Sequence, residues 1–283
     1  MSEPDVRDHL RSAIEEITTA HKTAGCAVAV RDYNSDFWFS LDGDRLFHAA
    51  STIKVAILLA VMKAVDEGFV RLTDPIHVRN RFLSAVDKTP YRLDSDSDGY
   101  PQLYRSIGRT AKIADLADSM ITSSSNLATN LLLDFVGTER AAAVLQEAGV
   151  KGVHLRRGVE DQKAFDAGMN NETTAEGMVE LFGVFRGEFL SKESRDHAIH
   201  ILLQQRFTSM IPAGLPSHAT VAHKTGEIST ACHDAGIVYL PEREPYILAI
   251  LTEVNSDANN RREAVAKISE AVYQAVTGKV RGK

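Results

Sequence analysis

The sequence predicts an α+β protein in which an antiparallel sheet is flanked by terminal helices and a mostly helical domain is inserted between the strands. Three observations predict it. Short strand-like runs lie near both ends of the 283-residue chain, helical periodicity fills the middle, and an amphipathic segment stands at each end. We therefore expect a sheet domain from residues 1–45 and 206–283, and a helical domain from residues 46–205.

The first elements belong to the predicted sheet domain. Apolar residues recur at three- and four-residue spacing from Asp5 to Ala20, which predicts an amphipathic helix. Cys26 to Val30 is a short apolar run suited to a buried strand, and Phe37 to Leu41 predicts a second strand. A turn around Asn34 and Ser35 would join them as a hairpin.

Helical segments dominate from Ser51 to about Gln205. The segment from Ser51 to about Val65 is apolar on every side, which is typical of a buried helix. The further predicted helices are Ile113 to Ile121, Asn126 to Val136, Glu139 to Ala148, Thr174 to Arg186 and Ser194 to Gln204.

The end of the chain returns to strands. Thr220 to Lys224, Gly236 to Leu240 and Tyr246 to Glu253 are short β-branched or aromatic runs, with a Pro241 to Pro245 turn between the last two. Asn259 to Val276 predicts a closing amphipathic helix.

The composition is that of an ordinary globular protein, 44% hydrophobic and 25% charged, with a net charge of −6. This charge argues against a nucleic-acid partner. Cys26 and Cys232 have no metal-site spacing, and free buried thiols are favoured over a disulfide. The start shows no secretory signal and no apolar stretch approaches the ~20 residues that span a bilayer, so we expect no membrane partner. We expect a cytoplasmic location, or a periplasmic or secreted one if the natural chain begins further upstream.

Ser51-x-x-Lys54 is the first candidate catalytic motif. Residues three apart on a helix share one face, with Cβ atoms about 5–6 Å apart. A lysine inside so apolar a helix loses solvation, which favours the neutral amine that can act as a base. Taken alone, the motif is also explained by a helix-capping serine and an unrelated lysine.

Two further motifs follow. Lys224-Thr225-Gly226 ends a predicted strand, where a glycine lets a substrate approach the strand edge and the lysine supplies a fixed cation. Ser124 and Asn126 lie in a Ser-Ser-Ser-Asn run between two helices. This run can be a simple helix cap, or it can supply a hydroxyl proton relay and a substrate-gripping amide.

The three motifs, in this order, are the signature set of class A β-lactamases and penicillin-binding proteins. The sequence resembles that superfamily over nearly its whole length: Phe47 to Lys54 resembles the nucleophile segment, Met120 to Leu133 the second motif, and His223 to Gly226 the third. The resemblance implies a β-lactamase/transpeptidase-like fold with its site in the cleft between sheet and helical domains. It also implies a bacterial hydrolase linked to antibiotic resistance, without cofactor or metal, whose partner is a small β-lactam, ester or amide.

The resemblance carries roles to individual residues. Ser51 would attack a carbonyl and become acylated, and Lys54 would take its proton, directly or through water. Ser124 would pass a proton to the leaving group, and Asn126 would hold the substrate amide. Glu160, in the loop before Thr173, would activate the deacylating water; whether Lys54 or Glu160 deprotonates the nucleophile stays open.

Substrate binding falls to the third motif. Lys224 and Thr225 would bind a substrate carboxylate beside Gly226, and the backbone N–H groups of Ser51 and Glu227 would form the oxyanion hole.

The sequence departs from the class A pattern at several positions. Ser125 stands where those enzymes carry an anchoring aspartate, and Ala164 where an asparagine helps hold the hydrolytic water. Asn170 or Asn171 is a candidate substitute for that asparagine. The third-motif strand lacks the usual arginine, which leaves His233 as the nearest candidate cation.

The favoured function is β-lactam hydrolysis through an acyl-enzyme on Ser51. The alternatives are an esterase or D-amino-acid peptidase on the same scaffold, and a β-lactam or peptidoglycan-fragment sensor that stays acylated. A calcium loop at Asp94-x-Asp96-x-Asp98-Gly99 is set aside, because Arg105 occupies the position that requires a bidentate glutamate.

Overall fold

A computed structural model describes residues 3–254 and 260–278. The protein is of the predicted α+β class. Its described helices are α1 (Glu3–Ala20), α2 (Lys54–Asp66), α3 (Ile113–Thr122), α4 (Asn126–Val136), α5 (Thr138–Glu147), α6 (Gln162–Asp166), α7 (Ala175–Val184), α8 (Lys192–Leu203) and α9 (Arg261–Thr277).

The described strands fall into long strands near the ends of the chain and short ones between them. They are β1 (Thr23–Asp32), β2 (Trp38–Leu41), β3 (Phe47–His48), β4 (Pro75–His77), β5 (Phe82–Leu83), β6 (Pro90–Tyr91), β7 (Thr110–Lys112), β8 (Val153–His154), β9 (Glu172–Thr173), β10 (Thr220–Ile228), β11 (Ala231–Tyr239) and β12 (Tyr246–Val254).

The described chain divides into two compact units. The first, here the sheet unit, takes its described residues from Met1–Thr52, Thr173–Gly183 and Phe207–Lys283. The second, the helical unit, comprises Ile53–Glu172 and Val184–Arg206. The chain passes from one unit to the other directly after Thr52, within the first candidate motif.

Strands from both ends of the chain build the five-stranded sheet, in the order β10-β11-β12-β1-β2. Every neighbouring pair in it is antiparallel. The N-terminal strand β1 therefore lies between the C-terminal β12 and β2. This is the topology expected when two separated sets of strands complete a single sheet.

Helices α1 and α9 pack against the sheet in the sheet unit. Their apolar residues Leu10, Ile14 and Ile268 are almost fully buried in one core with strand residues such as Val28 and Leu248. The helical period of α1 places Leu10 and Ile14 on one stripe, which explains why this terminal segment was recognisable as amphipathic.

The two cysteines are free thiols, Cys26 partly buried and Cys232 buried. Both residues pair with Thr252 of β12, from opposite sides. Two strand spacings therefore separate them, about 10 Å, whereas a disulfide needs Cα atoms roughly 4.4–6.8 Å apart. The register keeps the thiols apart.

Helix α2 is the centre of the helical unit and packs against α3, α4, α5 and α8. Its residues Val55 to Met62 are at most 1% exposed. This burial on all sides follows from a segment that is apolar around its whole circumference. None of the described helices is both long and apolar enough to cross a membrane.

Most element boundaries differ from the sequence prediction by a few residues, β11 beginning five residues early at Ala231, and three differences concern the candidate motifs or the closing helix. Ser51 lies in a 3₁₀ turn, Ala50–Ile53, and the α-helix begins only at Lys54. Strand β10 continues to Ile228, so the third motif lies inside the strand and not at its end. The closing helix begins at Arg261, and the predicted start at Asn259 lies outside the described residues. The domain boundaries proposed from the sequence stay a prediction.

Candidate active site

The candidate nucleophile lies on a tightly bonded turn of the sheet unit. The Ala50 N–H donates to His48 Nδ1 at 3.1 Å, and the Thr52 N–H and hydroxyl both donate to the Ala49 carbonyl, at 3.1 and 2.6 Å. Ala50 has a φ of +46°, a left-handed conformation that costs a non-glycine residue energy. The local bonds hold this strained turn and leave Ser51 partly exposed at its start.

Gly226 is required by a close approach of β10 to this turn. A Cβ atom at Gly226 would lie 3.0 Å from Thr52 Cγ2 and 3.1 Å from the backbone nitrogens of Ser51 and Thr52. The glycine therefore lets the third motif pass directly against the backbone of the first, within the sheet unit.

His233 also supports the turn, and it is not the cation suggested from the sequence. Its Nε2 lies 2.9 Å from the His48 carbonyl and its Nδ1 accepts the Thr252 N–H at 3.1 Å. The ring packs edge-on against Phe47, with centroids 5.9 Å apart. Complete burial lowers the pKa of His233 to about 4, so the imidazole is neutral near pH 7 and serves as a structural tie.

Lys224 is completely buried on β10 and donates to the Thr225 carbonyl at 2.8 Å. Burial lowers the pKa of Lys224 to about 7, although the negative charge of Asp234 acts in the opposite direction and raises it. Asp234 is itself buried; one carboxylate oxygen lies 2.8 Å from His223 Nδ1 and the other accepts the Ile211 N–H at 3.0 Å. Near pH 7 the protonated and neutral forms of Lys224 are therefore both populated, so a small change in pH alters its charge.

Glu227 directly follows the Lys224-Thr225-Gly226 motif on β10 and forms ion pairs with helix α9. Its carboxylate pairs with Arg261 at 2.6 Å and with Arg262 at 2.8 Å. Arg261 also donates to the Ile228 carbonyl at 3.0 Å. These bonds fix the strand end whose backbone N–H is the predicted second oxyanion donor.

Lys54 lies at the centre of a polar group in the helical unit. Its ammonium, in a residue with no exposed area, donates to the Ser124 carbonyl at 2.7 Å, to Ser124 Oγ at 3.0 Å and to Asn126 Oδ1 at 2.7 Å. Helix α2 supplies the lysine and the segment leading into α4 supplies its partners. A buried amine is tolerated here because strong acceptors replace its hydration.

Asn126 joins this group to Glu160. Its Nδ2 donates to Glu160 Oε1 at 2.5 Å while its Oδ1 faces Lys54. The lysine and the carboxylate require opposite ends of the amide, so they fix its orientation. Lys54, Ser124, Asn126 and Glu160, drawn from three separate segments, form one connected network.

The Glu160 loop is held by a clamp that sequence reasoning missed. Asn130 Oδ1 accepts the Val159 N–H at 2.8 Å, and Asn130 Nδ2 donates to the Val159 carbonyl at 3.0 Å and to Tyr91 Oη at 3.2 Å. A Cβ at Gly158 would come within 2.5 Å of Tyr91 Oη. The amide thus grips both backbone groups of the residue directly before Glu160.

Asp161 anchors the other side of the loop. Its carboxylate accepts the Ser84 hydroxyl at 2.9 Å and the Ala85 N–H at 2.8 Å, and it caps α6 through the Ala164 N–H at 3.2 Å. Glu160 is therefore flanked by two fixed residues while its own side chain stays exposed.

Asn171 is occupied by structural bonds. It accepts the backbone N–H groups of Arg156 and Arg157 and donates to the Arg157 carbonyl, all within 3.1 Å. Asn170 Oδ1 accepts from Arg157 Nη2 at 3.2 Å. Both amides hold the loop together, which argues against the suggestion that either replaces the asparagine missing at Ala164.

Left-handed backbone occurs at two candidate catalytic residues and at the neighbour of a third. Seven non-glycine residues of the described chain have positive φ, among them Ala50, Ser124 (+59°) and Glu160 (+58°). Each such residue costs of order 1–3 kcal/mol and persists only where its surroundings over-determine it. Here that surrounding is the hydrogen-bond network itself. Among the described residues, no group of three or more His, Cys, Asp or Glu side chains is arranged to hold a metal ion.

Comparison with known proteins decides the family. The model of the Beta-lactamase enzyme family matches residues 9–276, almost the entire chain. The chain belongs to the beta-lactamase enzyme family. A curated β-lactamase of Streptomyces fradiae is 25% identical over 240 residues, 83% of this chain and 76% of the relative.

Solved structures place the fold in the same family. A point mutant of PBP-A, in acyl-enzyme complex with penicillin G, has a TM-score of 0.80 at 29% identity, covering 95% of this chain and 97% of that one. A β-lactamase from Xanthomonas campestris gives a TM-score of 0.81 at 26% identity, covering 96% and 98%. The protein is therefore a β-lactamase-like serine hydrolase of class A type with the predicted family fold.

Within this β-lactamase-like protein, the predicted site residues fall into two bonded sets. The helical unit brings together Lys54, Ser124, Asn126 and Glu160. The sheet unit brings Gly226 of β10 against the Ser51 turn, with Lys224, Thr225 and Glu227 on the same strand. Their catalytic and binding roles stay predictions.

Proposed function

We propose that the protein hydrolyses β-lactams through an acyl-enzyme on Ser51. The observation that carries this proposal is the network in which Asn126 bridges the Lys54 ammonium, at 2.7 Å, and the Glu160 carboxylate, at 2.5 Å. One network thus holds a candidate acylation base and a candidate deacylation base. A protein that only became acylated would need the first and not the second.

Acylation begins with attack of Ser51 Oγ on the lactam carbonyl. The Oγ proton passes to Lys54, three residues further along the chain, or through a water to Glu160. In the neutral form, Lys54 can give its two N–H donors to the Ser124 and Asn126 oxygens and keep its lone pair as a base. The Ser124 hydroxyl, 3.0 Å from the amine, then delivers a proton to the departing lactam nitrogen.

Deacylation requires an activated water. The exposed Glu160 carboxylate accepts its proton, and the resulting hydroxide attacks the ester on Ser51 and releases the opened product. The Asn130 clamp on Val159 fixes the base, so that little reorganisation is needed when the water reacts. Acylation of the related PBP-A mutant by penicillin G supports the first half of this cycle.

A second candidate function is favoured by the loop chemistry. Ala164 offers no amide, and Asn170 and Asn171 are engaged with Arg156 and Arg157. A hydrolytic water would therefore have fewer partners than in class A enzymes. This favours slow deacylation, and in the limit a sensor that remains acylated. An esterase or D-amino-acid peptidase on the same scaffold is the remaining alternative.

Intact-mass spectrometry after exposure to penicillin G separates these functions. The wild type is expected to return to its unmodified mass, and Glu160→Gln to accumulate an adduct of one penicillin on Ser51. Asp166→Asn is the matched control, because this exposed carboxylate lies in the adjoining helix α6, where it accepts from the Gln162 amide. It should behave as the wild type.

The other outcomes are equally specific. Unchanged turnover in Glu160→Gln removes that residue from deacylation. A persistent wild-type adduct indicates a sensor. Hydrolysis of a short-chain aryl ester, without turnover of a chromogenic cephalosporin and without a penicillin adduct, indicates an esterase. An adduct that still forms in Ser51→Ala would refute the assignment of the nucleophile.

A further inference from the structure

The acidic turn from Asp94 to Gly99 has a structural use that the proposed function leaves unassigned. Asp94 caps its own turn by accepting the Asp96 N–H at 3.0 Å. Asp98, by contrast, is only 7% exposed and points away from the turn, toward the start of α4. A buried carboxylate needs partners to compensate for its lost hydration.

We propose that Asp98 is a positioning residue that supplies, from a separate segment, the anchoring carboxylate absent at Ser125. The proposal rests on the proposed function, because it concerns the geometry of Ser124 and Asn126 in acylation.

Asp98 has two partners at the start of α4 and two close to it in the chain. Its Oδ2 accepts the Leu127 N–H at 2.8 Å and the Ser125 hydroxyl at 3.4 Å, and Tyr104 Oη donates to the same oxygen at 3.2 Å. Its Oδ1 accepts the Tyr100 N–H at 2.7 Å. Hydrogen bonds to an ionised acceptor are about twice as strong as neutral ones, so this carboxylate binds the segment firmly.

These bonds determine where Ser124 and Asn126 point. Leu127 is the second residue of α4 and follows Asn126 directly, while Ser125 separates Asn126 from Ser124. A carboxylate at the first turn of a helix also interacts favourably with the helix dipole. Asp98 thus holds the backbone N–H that follows Asn126 and the side chain that precedes it. The Asn126 amide joins Lys54 to Glu160.

The turn fits this segment at the backbone level. A Cβ atom at Gly99 would lie 1.9 Å from the Ser123 carbonyl oxygen, so only glycine permits the approach. Burial and the negative charge of Asp98 raise the pKa of Tyr104, which therefore stays protonated and donates to the carboxylate. Ser97, in the same turn, donates to Glu160 Oε1 at 3.4 Å. The acidic turn thus contacts the network at two points.

The test compares Asp98→Asn with Asp96→Asn, a neighbouring exposed carboxylate in the same turn. The rate of acylation by penicillin G is measured per folded active site, together with the melting temperature and the hydrogen exchange of the Leu127 amide. Asp98→Asn is expected to slow acylation about 10- to 100-fold through misplaced groups and to speed Leu127 exchange. Asp96→Asn should change neither. Placing a carboxylate at the loop itself, in Asp98→Asn/Ser125→Asp, should recover most of the rate.

Several results would overturn the proposal. One is an acylation rate per folded site within about twofold of the wild type; another is a double variant no faster than Asp98→Asn. If the wild type forms no adduct with penicillin G, the proposed function fails, and Leu127 exchange alone then decides the position of Asp98. Faster exchange in Asp98→Asn supports the anchor, and equal exchange refutes it.

Discussion

Replacing Gly226 with alanine tests whether the close approach of β10 positions the candidate nucleophile. The added methyl would lie 3.0–3.1 Å from Thr52 Cγ2 and the nitrogens of Ser51 and Thr52. Comfortable contacts between such atoms are about 3.5–4.0 Å, so the strand or the turn must move by roughly half an ångström. Two of the three contacts are backbone atoms, which cannot turn aside as a flexible side chain would.

The expected cost follows from this displacement. Overpacking costs about 1–3 kcal/mol, and the smaller conformational freedom of unfolded alanine returns about 0.4–1 kcal/mol. We expect a net loss of about 1–2 kcal/mol, seen as a melting temperature lower by about 2–8 °C. Because a 1 Å misplacement costs about 10² in rate, half that shift predicts roughly a tenfold fall in kcat/KM.

Gly183→Ala is the matched control for thermal unfolding and for kinetics with a chromogenic cephalosporin. Its added Cβ would lie 3.5 Å from Tyr33 Oη and 3.9 Å from Ile247 Cδ1, which are ordinary contacts. Within helix α7, alanine should stabilise the protein by about 0.5–1 kcal/mol with unchanged kcat/KM. The reasoning is refuted if Gly226→Ala keeps both its stability and its kcat/KM, or if the control loses as much as the test.

The buried Lys224 predicts a pH dependence. Its pKa of about 7 means that the cation is lost as the pH rises through that value, so kcat/KM for carboxylate-bearing β-lactams should fall above it. Lys224→Arg stays charged and should keep kcat/KM on the alkaline side; parallel profiles for the two proteins would contradict this. Asn130→Ala should slow release of the penicillin adduct by about tenfold, with less effect on its formation, because the Val159 clamp is lost. Mass spectrometry over time separates the two steps, and equal slowing of both would argue against a role confined to Glu160.

The fold was accessible from the sequence because its signals are local and periodic. The stripe of α1 and the apolar circumference of α2 predict a covering helix and a buried one without any knowledge of their neighbours. Boundaries were harder. Ser51 falls in a 3₁₀ turn that begins at the left-handed Ala50. Alanine rarely adopts this conformation, so its presence in the sequence does not predict it.

The candidate site, too, was predictable from the sequence only in part. The three motifs identified Lys54, Ser124 and Asn126, which do meet. Asp98 and Asn130 were missed as positioning residues, because they act through backbone groups of segments about 29 residues away. A side chain that bonds to a backbone N–H far along the chain produces no periodic pattern in the sequence. The only available signal for Asp98 was the glycine that follows it.

Six of the seven left-handed non-glycine residues in the described part of the chain fall into two groups with different prospects for engineering. Lys22, Lys88 and Glu242 lie on the surface. Glycine or asparagine there should raise thermal resistance by relieving about 1–2 kcal/mol of left-handed strain each, of which glycine loses about 0.4–1 kcal/mol through the greater freedom of its unfolded chain. The same exchange beside Ser51, or at residues 124 and 160, would relax the groups that must stay aligned. A heat-tolerant variant should therefore be sought among the surface positions, where a stabilising substitution should leave the catalytic rate unchanged.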